Sequence, residues 1–222
     1  MPLQITEKII ENTLQAVLSK GVVGTYQDFT SWILLSLKLE TKEDSTLNSE
    51  SVKFFLESFK EQGIAAPGKF DKKEYSASAN FLNQFPMSEK DKFTVLGGSQ
   101  FSPIQYVRSR QEFFLESNKV NEDDTMDISI ATIEAIENAV KYGDGNRVEL
   151  SQEIDSDRKY KLSIINYIKE FDLTDEIERG KYSSNITLMR GIMIMQKLFH
   201  HLDLQILNET KQVHLYAEKK LS

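Results

Sequence analysis

Apolar residues in the N-terminal part of the chain recur at helical spacing. Ile5, Ile9, Ile10, Leu14, Val17 and Leu18 form one stripe, and Gly21 and Gly24 interrupt it. Thr25, with Asp28 three residues on, is an N-cap pair for a second helix carrying Phe29, Trp32, Ile33 and Leu37. Residues 41–51 are polar and read as a loop. A third helix carries Val52, Phe55, Leu56 and Phe59, and Gly63 stands where a left-handed C-terminal residue is wanted. The stretch 65–73 breaks regular structure, and Ala77 to Phe85 reads as one further helix.

From Lys92 the texture changes. Phe93-Thr-Val-Leu reads as a strand ended by Gly97-Gly98. Ser102-Pro103-Ile104-Gln105 has the form of a helix start, with a capping serine, proline at the first helical position and glutamine to close a capping box. That helix runs to about Ser117. Asn121-Glu-Asp-Asp opens another, from about Asp124 to Tyr142, ended by Gly143 and the turn Asp144-Gly-Asn. Its expected buried face is Ile130, Ile133, Ile136 and Val140. The alternating runs Arg147 to Ile154 and Lys159 to Tyr167 predict a hairpin through Asp155-Ser-Asp-Arg. After a polar segment comes a helix ending near His201, then a second hairpin from Asp203 to Leu207 and Gln212 to Glu218. No internal repeat is present. The order predicts an α+β protein: residues 92–222 form a sandwich with helices on one face of a mainly antiparallel sheet, and residues 1–90 a small helical domain before it.

Composition narrows the functional classes. The formal net charge is −7, which argues against a general phosphate-backbone binder, so no nucleic-acid partner is expected. There is no cysteine, which removes disulfides, thiolate metal sites and a cysteine nucleophile. The N-terminus lacks the basic start and apolar core of a signal peptide, and the run Trp32-Ile-Leu-Leu-Ser-Leu is too short to cross a bilayer. A soluble, cytoplasmic protein with no membrane partner is the expectation.

The chemistry-bearing pattern lies on the long helix. Glu134, Asn138 and Lys141 stand at i, i+4 and i+7 and share a stripe beside the apolar one. A solvated helix face fits this spacing. So does a second chemistry, in which an amide oxygen ligates Mg²⁺ held by phosphates and a carboxylate orients an attacking hydroxyl. The adjacent histidines His200 and His201 diverge by about 100° on a helix and make a poor metal pair.

The run Glu134-x-x-x-Asn138-Ala139-x-Lys141-Tyr142-Gly143 resembles the N-box of the GHKL (Bergerat-fold) ATPases, in the form found in anti-sigma-factor serine kinases. Tyr142 stands where histidine is usual. The resemblance extends from Lys92 to Ser222 and implies a histidine-kinase-like ATPase sandwich. It implies Glu134 as general base and Asn138 as the Mg²⁺ ligand, with ATP as cofactor. The ATP pocket positions it assigns are Asn138, Lys141, Asn166, Phe171, Asp172, Arg190 and Gly191. The adenine motif departs from the family pattern: Asn166 replaces the aspartate, and Ile168 and Glu170 replace two glycines, while Phe171 and Asp172 fit. In the phosphate loop Met189 replaces a glycine ahead of Gly191. The 4-3-4-3 spacing of Leu188, Ile192, Met195, Phe199 and Leu202 starts a helix before Gly191, capped by Ser184 or Asn185.

What the resemblance implies is a bacterial partner-switching regulator that binds a sigma factor or a small antagonist protein. With these departures, the expectation is a protein-binding module whose ATP binding is weak or lost and whose kinase activity is lost or weakened. The rivals are an active ATP/Mg-dependent serine/threonine kinase and anti-sigma factor, and a non-enzymatic adaptor. The adaptor would be a homodimer through the N-terminal helices, with Phe54, Phe55 or Phe59 exposed.

Overall fold

The computed structural model describes residues 5–39, 47–168 and 187–222, the last stretch with its side chains from Gly191 on. The chain divides into two compact units. The first comprises residues 1–87 and 100–114, the second residues 88–99 and 115–222.

The first unit is built on three helices, α1 (Glu7–Leu18), α2 (Tyr26–Ser36) and α3 (Ser49–Glu61). Thr6 caps α1, and Ile10, Leu14, Val17 and Leu18 bury its stripe while Ile9 stays exposed. Thr25 and Asp28 close the capping box expected of them, with Thr25 N–H donating to Asp28 Oδ2 at 2.9 Å. Phe29, Trp32, Ile33, Leu56 and Phe59 fill the centre. Gly63 takes the left-handed conformation at the end of α3, φ +71°.

The stretch after Gly63 is more regular than its sequence implies. Ala65–Pro67 (β1) pairs antiparallel with Tyr75–Ala77 (β2), and α4 (Ala79–Leu82) is a single turn capped by Ser78. A 3₁₀ turn (Ser99–Phe101) leads to α5 (Pro103–Ser117), whose first residues belong to this unit. The capping box expected at Ser102 does not form. Ser102 sits at φ +45° and its hydroxyl donates to Asp28 Oδ1 at 2.5 Å, while Gln105 Nε2 donates to the Val23 carbonyl at 2.8 Å. Both side chains tie α5 to α2 and its approach rather than to their own helix.

The second unit is an α+β sandwich. Its five strands, β3 (Lys90–Leu96), β4 (Gly143–Ile154), β5 (Lys159–Ile168), β6 (His201–Leu207) and β7 (Gln212–Lys220), form an antiparallel sheet in the order β3-β4-β5-β7-β6. The register aligns one continuous apolar row, Phe93–Leu150–Ile164–Leu215–Leu204. The next row is Val95–Val148–Asn166–Val213–Ile206, in which Asn166 is the single polar member. Alternate residues on β4 and β5 are buried, so one face of the sheet carries the core.

Among the described residues two helices cover that face, α6 (Glu122–Tyr142) and α7 (Thr187–Leu198). Asn121 caps α6 through the Asp124 N–H at 2.8 Å. The buried face of α6 is Ile128, Ala131, Thr132, Ala135, Ile136 and Ala139. This corrects the expected face: Ile136 is fully buried, but Ile130 is 42% exposed, and Ile133 and Val140 are half-buried. Small residues let α6 lie close to its neighbours along this face, while Ile130 and Ile133 are turned toward the rim. Gly143 hands α6 to β4 with no intervening loop, and only glycine fits there, because a Cβ would lie 2.2 Å from the Ala139 carbonyl oxygen. The Asp144-Gly-Asn turn survives only as an irregularity in β4 between Gly143 and Val148.

Candidate functional site

The Glu134–Asn138 pair flanks Ala135 on the side of α6 that meets α7. The helix α7 starts at Thr187, so Gly191 lies inside it and not at its mouth, as the 4-3-4-3 stripe predicts. The proposed caps Ser184 and Asn185 lie outside the described residues. Gly191 is buried directly on the pair: a Cβ at this position would lie 2.7 Å from Asn138 Nδ2 and 3.2 Å from Glu134 Oε2. Only a residue without a side chain permits that approach. Asn138 Nδ2 is itself buried and, among the described residues, has no hydrogen-bond partner. Such an orphaned donor costs about 1–3 kcal/mol and marks a place where folding alone did not choose the residue.

Beside the pair is a cavity of about 120 Å³. Its walls are Ala135, Asn138, Ala139 and Tyr142 of α6, Ile192 and Met195 of α7, and the core-facing residues of β5, β6 and β7. Asn166 and Ile168, at the end of β5, belong to the same wall. Asn166 is buried, and its amide makes a bond of only 3.5 Å to the neighbouring Tyr167 carbonyl. Among the described residues no lining residue carries a charge. Pockets for drug-sized ligands run to about 300–1,000 Å³, and a dry apolar cavity of about 150 Å³ takes one benzene ring. The cavity is therefore of single-ring size and apolar.

The fold thus gathers Glu134, Asn138, Asn166, Ile168 and Gly191 into one place. Lys141 is not part of it: the side chain is exposed, with its Nζ 5.1 Å from the Tyr142 ring centroid. Phe171, Asp172 and Glu170 lie outside the described residues, as do the side chains of Met189 and Arg190. Tyr142, Ile192, Leu204, Ile206 and Val213 line the cavity without having been singled out as site residues. The alternation along β6 and β7 places the strand residues on the core face, but not in a cavity. His200 and His201 leave the helix before they diverge; His200 Nδ1 accepts from the Lys220 N–H at 3.2 Å. Among the described residues no helix is long and apolar enough to cross a membrane.

An α+β sandwich with a Glu/Asn helix stripe beside a small apolar cavity is the class of structure that results. No family model matches the chain, and no curated protein matches it. Solved structures do. One is the SiaB–SiaC complex from Pseudomonas aeruginosa, at 12% identity, covering 79% of this chain and 99% of that chain with a TM-score of 0.41. Another is the histidine kinase domain of the blue-light activated histidine kinase from Erythrobacter litoralis EL346, at 12% identity, covering 97% of this chain and 94% of that chain with a TM-score of 0.35. At this identity and superposition neither an activity nor a partner passes from those proteins to this chain.

Proposed function

We propose that this chain is a regulatory protein-binding module of the anti-sigma-factor/serine-kinase type, working in bacterial partner switching with its ATP binding weak or lost. The observation that carries the second half is the seat of Gly191 on Glu134 and Asn138. Mg²⁺ demands near-octahedral oxygen coordination at about 2.0–2.1 Å and keeps several of its waters. The α7 backbone occupies the space against the Asn138 amide nitrogen, which leaves less room there for those waters or a triphosphate. The cavity adds a second obstacle, since Ile168 and its apolar neighbours bound a space of about 120 Å³ and, among the described residues, no charged group lines it to meet a phosphate. The fold and the Glu134/Asn138 helix remain, and they support a module that acts by binding a protein, a sigma factor or a small antagonist.

Titration calorimetry with ATP, ADP and Mg²⁺ tests the claim. No binding at micromolar strength is expected, and the wild-type protein should transfer no phosphate to a serine substrate. Glu134→Ala should then change neither result. Micromolar ATP affinity, or transfer that Glu134→Ala abolishes, would make the chain a working kinase. Co-elution with a sigma factor or small antagonist in nucleotide-free buffer is expected, unchanged by added ATP. A complex that ATP dissolves would restore nucleotide control to the molecule.

A further inference from the structure

The two ends of the five-stranded sheet differ in how they are finished. At one end β3 carries Lys90 and Lys92, both exposed, of the kind that discourages another strand from pairing there. At the other end β6 runs His201-Leu-Asp-Leu-Gln-Ile-Leu207, with no lysine, proline or bulge. Among the described residues no strand lies against its outer edge. Its core-facing residues are also left ajar. Val148, Leu150, Leu162 and Ile164 on the central strands are at most 2% exposed, whereas Leu202, Leu204 and Ile206 are only half-buried. A seven-residue strand with a free hydrogen-bonding edge and an incompletely covered apolar face invites a further strand.

We propose that this strand is β6 of a second copy of the chain, paired antiparallel about a two-fold axis through Leu204. The sequence of β6 is complementary to itself in that arrangement. Leu204 meets Leu204 of the second copy, and Leu202 meets Ile206, which extends the apolar row on the core face. Asp203 meets Gln205 and His201 meets Leu207 on the open face. No like charges oppose each other, and all seven residues find a partner. A slip of one residue sets Asp203 against Leu204 or Ile206 and mixes the two faces, which an antiparallel pair cannot tolerate where one face is buried. The two sheets then form one continuous layer, and the two-fold closes the assembly at a dimer. Nothing in this depends on whether nucleotide binds.

The test uses the full chain and two variants on the open face. Gln205 is exposed and its Nε2 donates to Asp203 Oδ2 within the strand at 2.7 Å, so both positions tolerate polar substitution. Size exclusion with light scattering should give the wild type twice the chain mass at high micromolar concentration. D203K/Q205K opposes lysine to lysine twice across the axis and should weaken the dimer about tenfold or more. D203K/Q205E opposes lysine to glutamate twice and should keep it. Far-UV circular dichroism must match the wild type in both. A wild type that stays monomeric overturns the proposal, and so does a D203K/Q205K dimer as tight as the wild type. If folded D203K/Q205E dissociates as readily as D203K/Q205K, the two-fold register is wrong.

Discussion

Lys219→Ala should destabilise the protein by about 3–5 kcal/mol, the usual cost of removing one member of a buried ion pair. Lys219 projects from the core face of β7, where it is buried. Its ammonium lies 2.9 Å from Asp127 Oδ2 and 3.4 Å from Asp124 Oδ1, and donates to the Leu198 carbonyl at 3.2 Å. One side chain therefore joins β7 to α6 and to the C-terminal end of α7, where a cation is favoured by the helix dipole. Its removal leaves the Asp124 carboxylate buried with no counter-charge, and water does not reach it cheaply. The loss should be read as a lower urea midpoint at unchanged slope. Lys219→Met combined with Asp124→Asn, which removes both charges and keeps the stem, should recover much of it. A Lys219→Ala loss below about 1 kcal/mol would show that the pair is solvated and of surface strength.

Acid gives an independent check. Burial pushes the Asp124 carboxyl up, but the Ser222 N–H, the Asn121 amide and the Lys219 ammonium outweigh it and hold the group below its ordinary 3.8. A carboxyl lowered in the folded state contributes its full stabilisation above the unfolded value and loses it as pH falls through the folded one. The wild type should thus lose stability on acidification below about pH 4. Lys219→Ala should lose less over the same interval, because Asp124 is no longer held down by the ammonium. Equal acid slopes in the two proteins would remove Lys219 from the explanation.

What the sequence made legible was local. Thr25 and Asp28, like Asn121 and Asp124, are capping partners three residues apart, and nothing distant outbids them. The two hairpins were legible because strands with one wet face alternate strictly. The start of α7 before Gly191 was legible from the spacing of Leu188, Ile192 and Met195. Ser102 and Gln105 had the pattern of a capping box, but their partners, Asp28 and the Val23 carbonyl, lie far away in sequence and compete successfully. The face of α6 was misassigned because large apolar residues dominate a periodicity count, while close helix packing selects Ala131, Ala135 and Ala139. Glu134 and Asn138 were a charged stripe like many others until the resemblance singled them out. The cavity beside them needs residues from five elements, and the contact of Gly191 with Asn138 depends on helix placement. Neither is written in any single segment.

Trp32→Ala is expected to cost the first unit about 3–5 kcal/mol from lost packing alone. The indole is fully buried. It packs edge-on against Phe29 at 5.0 Å and Tyr106 at 5.3 Å between ring centroids. Its Nε1 donates to the Phe101 carbonyl at 3.0 Å, so truncation also orphans an acceptor. Trp32→Phe keeps a ring in the gap and loses chiefly that bond, for which about 1–2 kcal/mol is expected. The pair of variants separates packing from hydrogen bonding, and equal losses in the two would put the cost on the bond. Trp32 is also the only tryptophan, so wild-type fluorescence reports on this unit by itself. In the variants circular dichroism must take its place. There the part of the melt that belongs to the first unit should shift to lower denaturant, because the helices α1, α2 and α3 share the centre that Trp32 fills. A Trp32→Ala protein that melts with the wild-type midpoint would mean that those three helices are held together without it.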